Sequence, residues 1–370
     1  MQTWTRIDWR IIPIVLALMT ISLFVISSMT YEPGEGFFSP LVKSQIRWFL
    51  LGWTFFAITA AFDYQKLKSY CWILYFLMLL VLFGLFLVPT IQNVHRWYRI
   101  PFIGLTIQPS EGAKLIVALT LALFLESKGK TVRSLGTAIQ AGLLVGVPFL
   151  LILKQPDLGT ALILFPIALA MGYFADLHRG MIRILAGFGI AVLAIVLCLF
   201  VGVVPHEKAR PFFTSFMKEY QYERLNPSNY HLKAATTAIG VGGLTGTGWR
   251  KGEFAGKKWL PAAHTDSVFA AYGEEFGFVG LALLLSLFFG LIYFSLQVAT
   301  VAKDPFGRFL AVGLATYLAM HVLLNIAMMC ALLPISGVPL IFVTYGGNSI
   351  LTTLTALGLL QSIYSRRFMF

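Results

Sequence analysis

Charge is what this chain lacks most. Of its 370 residues only 12% are Asp, Glu, Lys or Arg, about half the share found in an ordinary soluble domain, so a soluble globule of this size could not cover its surface. Disorder is excluded as well, because disorder needs low hydrophobicity and 58% of the residues are hydrophobic. Cysteine is scarce: Cys71, Cys198 and Cys330 each lie in an apolar run with no C-x-x-C spacing, which removes a zinc site or a disulfide framework. Alternating polar and apolar strands are missing, so a membrane barrel is not expected. The glycine-rich stretch 240–256 has no preceding strand, no G-x-G-x-x-G and no G-K-[ST]. It is neither a dinucleotide fingerprint nor a phosphate loop, and it reads as turn-rich backbone that packs closely on its surroundings. Acidic residues are fewer than basic ones, for a net charge of +12. The bases cluster between apolar runs, which points to membrane topology and away from nucleic acid.

Long apolar runs are what is present. Ten are expected to span a membrane, at 11–29, 46–62, 70–89, 111–126, 136–153, 158–175, 182–204, 267–300, 308–332 and 338–364. Lipid offers no partner to backbone N–H and C=O groups, so the spans must be helices. The expected fold class is an all-α polytopic membrane protein. It has ten transmembrane helices and one long extracytoplasmic loop between helices 7 and 8. The division runs 1–204 for helices 1–7, 205–265 for the loop and 266–370 for helices 8–10, within one integral membrane domain. The first run follows Arg6 and Arg10 like a signal peptide but has no small-x-small cleavage site, so it reads as a retained helix. With ten spans both termini share a side. Thirteen Lys and Arg fall in short segments on that side and five on the other, which places both termini in the cytoplasm. In the loop, Phe212, Phe216 and Tyr220 recur at fours and suggest a short amphipathic helix on the outer leaflet, followed by a second helical stretch at 230–239.

Polar residues at membrane depth are costly and so are functional candidates. They gather towards the outer side. Arg96-Trp97 precede Gln108-Pro109-Ser110-Glu111, where Ser110 can cap a helix starting at Glu111. Lys114 shares a helix face with Glu111, and an ion pair with a purely structural role is as compatible with the spacing as a site. Asp157 opens the sixth span, where capping is the plain explanation. His264 and Asp266 open the eighth, as a weak metal-ligand spacing or as a cap. Glu274 and Glu275 follow two turns deeper and must find partners in the bundle. Pro334 to Pro339 form a tight turn, and Gly346-Gly347 permit close helix approach or unwinding. Arg210 and Arg224 on the loop are solvated charges or phosphate ligands. These residues describe a polar cavity that processes a lipid with a charged head group or moves a solute.

Four segments carry a resemblance: Arg96-Trp97 with QPSEGAKL (108–115), QPDLGTA (155–161), GVGGLTGTG through LPAAHTD to GEEFGFVG (240–280), and LPISGVP with TYGGNS (333–349). In this order, with a long loop before the eighth span, the chain resembles the SEDS family (shape, elongation, division and sporulation) of RodA and FtsW proteins. Its length and short loops look most like the RodA branch. The resemblance implies a peptidoglycan glycosyltransferase of the bacterial cytoplasmic membrane. It implies polymerisation of lipid II on the outer face during cell-wall elongation and shape maintenance, with a class B penicillin-binding protein, the elongation machinery and membrane lipids as partners. It implies Asp266 as the catalytic residue, Trp97, Arg96, Glu111, Lys114, Asp157 and Arg210 as substrate-binding residues, and Pro109, Pro339, Gly346 and Gly347 as structural motif positions. No cofactor is required by this reading, and Asp266 stays open as a general base or as a ligand of Mg or Mn. Where the family usually has an acidic residue, a phenylalanine and SYGG, this chain has Ala262, Ser267 and TYGG. A lipid II flippase, a division-specific polymerase of the FtsW kind and a scaffold are the alternative functions.

Overall fold

Each of the ten apolar runs carries a helix. The computed structural model describes residues 6–31, 36–89, 94–99, 106–204, 206–215, 219–226, 229–257 and 259–368. The first seven runs form α1 (Ile11–Met29), α2 (Pro40–Ala61), α3 (Cys71–Gly84), α4 (Pro109–Lys128), α5 (Leu135–Lys154), α6 (Leu158–Phe174) and α7 (Arg179–Phe200). The loop carries α8 (His206–Thr214), α9 (Glu219–Glu223), α10 (Tyr230–Gly242) and α11 (Glu253–Gly256), and the last runs form α12 (Val268–Val301), α13 (Pro305–Met329) and α14 (Gly347–Ser365). Five of these, α1, α5, α7, α12 and α13, are long and apolar enough by themselves to cross a membrane. Among the described residues the only sheet is the two-stranded hairpin of β1 (Tyr98–Arg99) and β2 (Thr106–Ile107).

Caps set the boundaries. Ser39 accepts from the Val42 N–H with Pro40 at the first helical position, so α2 starts six residues earlier than its apolar run implied. Asp304 accepts from the Gly307 N–H and Pro305 follows it, which fixes the start of α13. Helix α13 is central, packed on α12, α6, α4 and α14. Helix α7 is the opposite case: it packs chiefly on α6, and only 6% of its apolar window is buried.

The tenth run is not one helix. A span was expected over 338–364, but α14 begins only at Gly347. Pro339 lacks a donor, Gly337 sits at φ +75° and Phe342 at +63°, and no helix can be threaded through those values. Irregular backbone at this depth is tolerated because it lines a cavity.

The eighth run breaks too. Gly277 adopts φ 63°, ψ −163° inside α12, a region that only glycine occupies readily. A helix break leaves carbonyls unpaired on one side and N–H groups on the other. The glycine-rich loop supplies both. Thr247 and Gly248 N–H donate to Glu274 and Glu275 O, each at 3.0 Å, while Phe278 and Val279 N–H donate to Gly243 and Leu244 O at 2.8 and 3.1 Å. A Cβ at Gly246 would overlap the Glu275 carbonyl, so close packing explains the glycines there. The same loop answers the acidic pair. Glu274 accepts from the Phe254 and Ala255 N–H groups at 2.8 and 3.1 Å, and Glu275 from the Ser28 hydroxyl and the Arg250 N–H. Their partners are backbone and neighbouring side chains, away from the cavity described next.

In the loop, α8 and α9 are two short helices where one amphipathic helix was expected. Phe216 and the side chains of Phe212 and Tyr220 lie outside the described residues. Tyr222 is buried against Phe213 and the end of α7. The stretch expected to be helical at 230–239 is α10.

Candidate active site

The four charged segments meet at the bundle end where α4, α6, α12 and α14 begin. There they line a cavity of about 760 Å³. Arg96, Trp97, Glu111, Asp157, Asp266 and Pro339 all contribute to its wall, as do Gly346 and Gly347.

One wall is the start of α4. The helix begins at Pro109 rather than Glu111, so Ser110 lies inside its first turn and caps nothing; its hydroxyl donates to Asp157 at 2.8 Å. Asp157 caps α6 through the Thr160 N–H and also accepts from the Gln108 amide at 2.8 Å and the Thr160 hydroxyl at 3.0 Å. One carboxylate thus ties two helix starts together. Behind this wall Lys114 is fully buried. Its ammonium donates to Glu111 Oε1 at 2.7 Å and to His321 Nε2 at 2.8 Å and lies 5.2 Å from the centre of the Tyr317 ring. Glu111 Oε2 is buried without a partner among the described residues, so this carboxylate keeps an unused acceptor beside the cavity.

The opposite wall is the His264-Thr265-Asp266 turn ahead of α12. Its three carbonyls are each held from elsewhere: His264 O by the Tyr345 N–H at 2.9 Å, Thr265 O by the Thr344 hydroxyl at 3.0 Å, and Asp266 O by the Asn325 amide at 3.0 Å. Ala262 at φ +50° turns the chain and accepts from the Thr265 and Ser267 N–H groups. The Ser267 hydroxyl donates to Pro261 O at 2.8 Å and meets His231 Nε2 at 2.5 Å, so a serine here bridges α10 to the turn. Asp266 does not cap α12; the capping position is Ser267, without a side-chain bond. Among the described residues no hydrogen bond reaches the Asp266 carboxylate. Burial pushes its pKa up, and the nearby charges of His231, Arg224, Arg96 and His264 pull it part of the way back. Burial lowers the pKa of both His231 and His264, with Asp266 opposing. Desolvation therefore outweighs these charges, and this carboxyl holds a proton more readily than a solvated one.

Gly337 and Gly347 mark close approaches. A Cβ at Gly337 would sit 3.7 Å from Asp266 Oδ2 and 3.8 Å from Arg224 Nη1, which locates Arg224 on the Asp266 side. A Cβ at Gly347 would enter the Trp48 ring, so this indole lies flat against the start of α14. The Arg96 guanidinium donates to Gln155 O at 3.4 Å.

Of the site residues read from sequence, the structure gathers Arg96, Trp97, Glu111, Asp157 and Asp266 around one cavity, with Lys114 directly behind it. Arg210 is elsewhere, exposed and paired with Glu219 between α8 and α9. Sequence reasoning passed over His321 and Asn325 on α13. The signal was available: an ionisable residue and an amide four apart inside an apolar span. Trp48 gave no signal. Among the described residues no three His, Cys, Asp or Glu side chains gather as a metal site.

The family model FTSW_RODA_SPOVE, described as "Cell cycle protein", matches residues 9–367. A protein of Geobacter sulfurreducens named "Probable peptidoglycan glycosyltransferase FtsW" is 31% identical over 371 residues, 98% of this chain and 96% of that one. Escherichia coli K12 "Peptidoglycan glycosyltransferase MrdB" is 30% identical over 367 residues, 96% of this chain and 94% of that one. The crystal structure of the Thermus thermophilus rod shape determining protein RodA superposes with a TM-score of 0.72 at 25% identity, covering 99% of both chains. A chain from a structure described as "Structural coordination of polymerization and crosslinking by a peptidoglycan synthase complex" gives 0.77 at 23% identity, covering 98% of this chain and 99% of that one.

Proposed function

The chain belongs to the family of FtsW, RodA and SpoVE and is a peptidoglycan glycosyltransferase, and we propose that its cavity joins lipid II units into glycan strands with Asp266 as the general base. The observation that carries this reading is the convergence of Asp266 with Glu111 and Arg96, from two distant segments, on one cavity at one end of the helices.

In the proposed step the 4-hydroxyl oxygen of the acceptor sugar attacks the anomeric carbon of the lipid-linked donor. Its proton passes to the Asp266 carboxylate. The bond from the anomeric carbon to phosphate oxygen breaks, and its electron pair leaves on the lipid pyrophosphate. One displacement inverts an α-linked donor to a β-linked product. The raised affinity of Asp266 for a proton suits a base, and the low-dielectric wall strengthens the pull of Arg96 and Arg224 on the departing anion. Glu111 lines the wall against which the substrate lies. Lys114, having no exposed surface, acts through Glu111. Trp97 and Trp48 line the cavity beside the sugar rings, and Asp157 holds together the α6 start and the α4 start that carries Glu111.

The outward orientation belongs to the same proposal. Both termini are cytoplasmic and the cavity faces out, supported by the charge asymmetry of the short loops. So does the partner. A single-pass class B penicillin-binding protein docks on the outer part of α12 and α13, where Phe278, Val279, Leu283 and Leu323 are exposed apolar side chains. The elongation role is the RodA-like half of the proposal; relatives with FtsW and MrdB names match almost equally.

The test is purified protein, with and without such a partner, given lipid II in detergent. Glycan strands formed without a bilayer are the expected result. Scrambling of a fluorescent lipid II in liposomes with no strand formation would replace the transferase with a flippase.

A further inference from the structure

Along one face of α13, Tyr317, His321 and Asn325 recur every four residues with no exposed surface. Three buried polar side chains within an apolar span are costly, and each has a partner. A carbonyl only accepts and an ammonium only donates, so the partners of His321 fix its tautomer. Its Nδ1–H donates to Pro339 O at 3.2 Å, and its Nε2 lone pair receives the Lys114 ammonium at 2.8 Å. One turn on, the Asn325 amide donates to Val338 O at 2.8 Å and to Asp266 O at 3.0 Å.

These bonds form a continuous path. It runs from Glu111 through Lys114 and His321 to Pro339, then across the adjoining Val338 carbonyl and Asn325 to Asp266. Both ends line the cavity, on facing walls. The links on α13 are short side chains on a packed helix, and His321, Val338 and Pro339 themselves line the cavity between the two ends.

We infer that His321 and Asn325 are positioning residues, a strut on α13 that sets the spacing between Glu111 on one wall and Asp266 on the other. The inference rests on the proposal that these two carboxylates touch substrate. A transferase that must hold two sugars in attack geometry is sensitive to such spacing, since a misplacement of about 1 Å costs on the order of 10²-fold in rate.

The alternative is that His321 only satisfies the buried Lys114 ammonium, and two substitutions separate the cases. The glutamine of His321→Gln reaches the place of Nε2 and keeps an acceptor for Lys114, but it leaves Pro339 O without a donor. Asn325→Ala cuts the other link. In the full chain with its transpeptidase partner, the strut predicts that His321→Gln still folds, with a modest drop in melting temperature from the unpaired Pro339 carbonyl. Its kcat for lipid II polymerisation falls about tenfold or more while KM stays within about twofold. The double variant His321→Gln, Asn325→Ala should be no slower than the worse single one, because both break one path.

Amide hydrogen exchange gives a readout independent of activity. Exchange over 262–268 should rise in His321→Gln, although the hydrogen bonds of His321 go to Lys114 and Pro339 and not to those residues. Wild-type kcat together with unchanged exchange over 262–268 in His321→Gln would overturn the strut. If the wild-type protein makes no strands, the transferase proposal falls, and the exchange experiment still decides the strut.

Discussion

Replacing Asp266 by asparagine removes a proton acceptor and very little else. None of the bonds that shape its turn uses the carboxylate: Tyr345, Thr344 and Asn325 all grip backbone carbonyls, and α12 is capped at Ser267. The neutral amide also escapes the desolvation that raises the pKa of the wild-type acid. The loss of attraction to Arg96, Arg224 and the two histidines acts the other way, so the net change in stability should stay within about 1 kcal/mol. The rate should fall by about 10² to 10⁴, the range for a general base, which is about 2.7–5.4 kcal/mol of transition-state stabilisation. Strand formation from lipid II measures the rate, and thermal unfolding in detergent measures the stability.

The wild-type pH dependence has a determined sign. A base must be ionised, and burial raises the pKa of Asp266, so activity should rise with pH through a limb lying above the ordinary carboxylate value of about 3.9. Linkage runs in the opposite direction. Between the unfolded and the raised folded pKa the folded state binds more protons, so this group lends relative stability at low pH that is lost as pH rises. Asp266→Asn should abolish both dependences. A well-folded Asp266→Asn protein that polymerises lipid II within about threefold of wild type would refute the reasoning.

Arg96→Gln removes a cation that holds the Asp266 proton affinity down, so the acid limb of the rate profile should move to higher pH; a limb moving down would contradict the electrostatic account. Glu111→Gln leaves the fully buried Lys114 with His321 alone and should cost about 3–5 kcal/mol. Adding Lys114→Met should restore the melting temperature without restoring polymerisation, and full activity in the double variant would reduce the pair to a structural role. Gly277→Ala should destabilise by about 3 kcal/mol or more, because its φ and ψ exclude a side chain and a Cβ would overlap the backbone of Gly246 and press on that of Leu244; thermal unfolding checks it. In a variant with the native cysteines replaced, Lys257→Cys, at an exposed site beside Glu253, should react with an impermeant thiol reagent in intact cells, and labelling only after permeabilisation would reverse the proposed topology.

Hydrophobicity made the helices legible, because a run that must hide its backbone from lipid has one solution. The ten runs each hold a helix for that reason. The same signal failed where the backbone finds partners outside its own helix. Nothing in the composition of 338–346 says that Leu340 N–H donates to the Thr344 hydroxyl, or that this hydroxyl donates in turn to Thr265 O. The segment is apolar enough to be helix, yet it is used as cavity wall. Gly277 hid in the same way inside GEEFGFVG, since a single glycine in an apolar run reads as a mild helix penalty. Only the meeting with Gly243–Gly248 makes it a break.

The site was legible in proportion to how costly each residue is at its depth. Glu111, Lys114 and Asp266 stood out as charges, and the turn prolines and glycines as breaks in helical pattern. His321 and Asn325 are costly as well, but each lies alone among aliphatic residues, and their purpose is visible only from their partners. Those partners, Lys114, Pro339, Val338 and Asp266, come from segments as much as 207 positions away along the chain. A one-dimensional pattern can mark a buried polar group as expensive, but it cannot say which distant groups it satisfies. Buried charges are therefore easier to find from sequence than the neutral side chains bonded between distant segments, and in this protein the latter sit on a central helix.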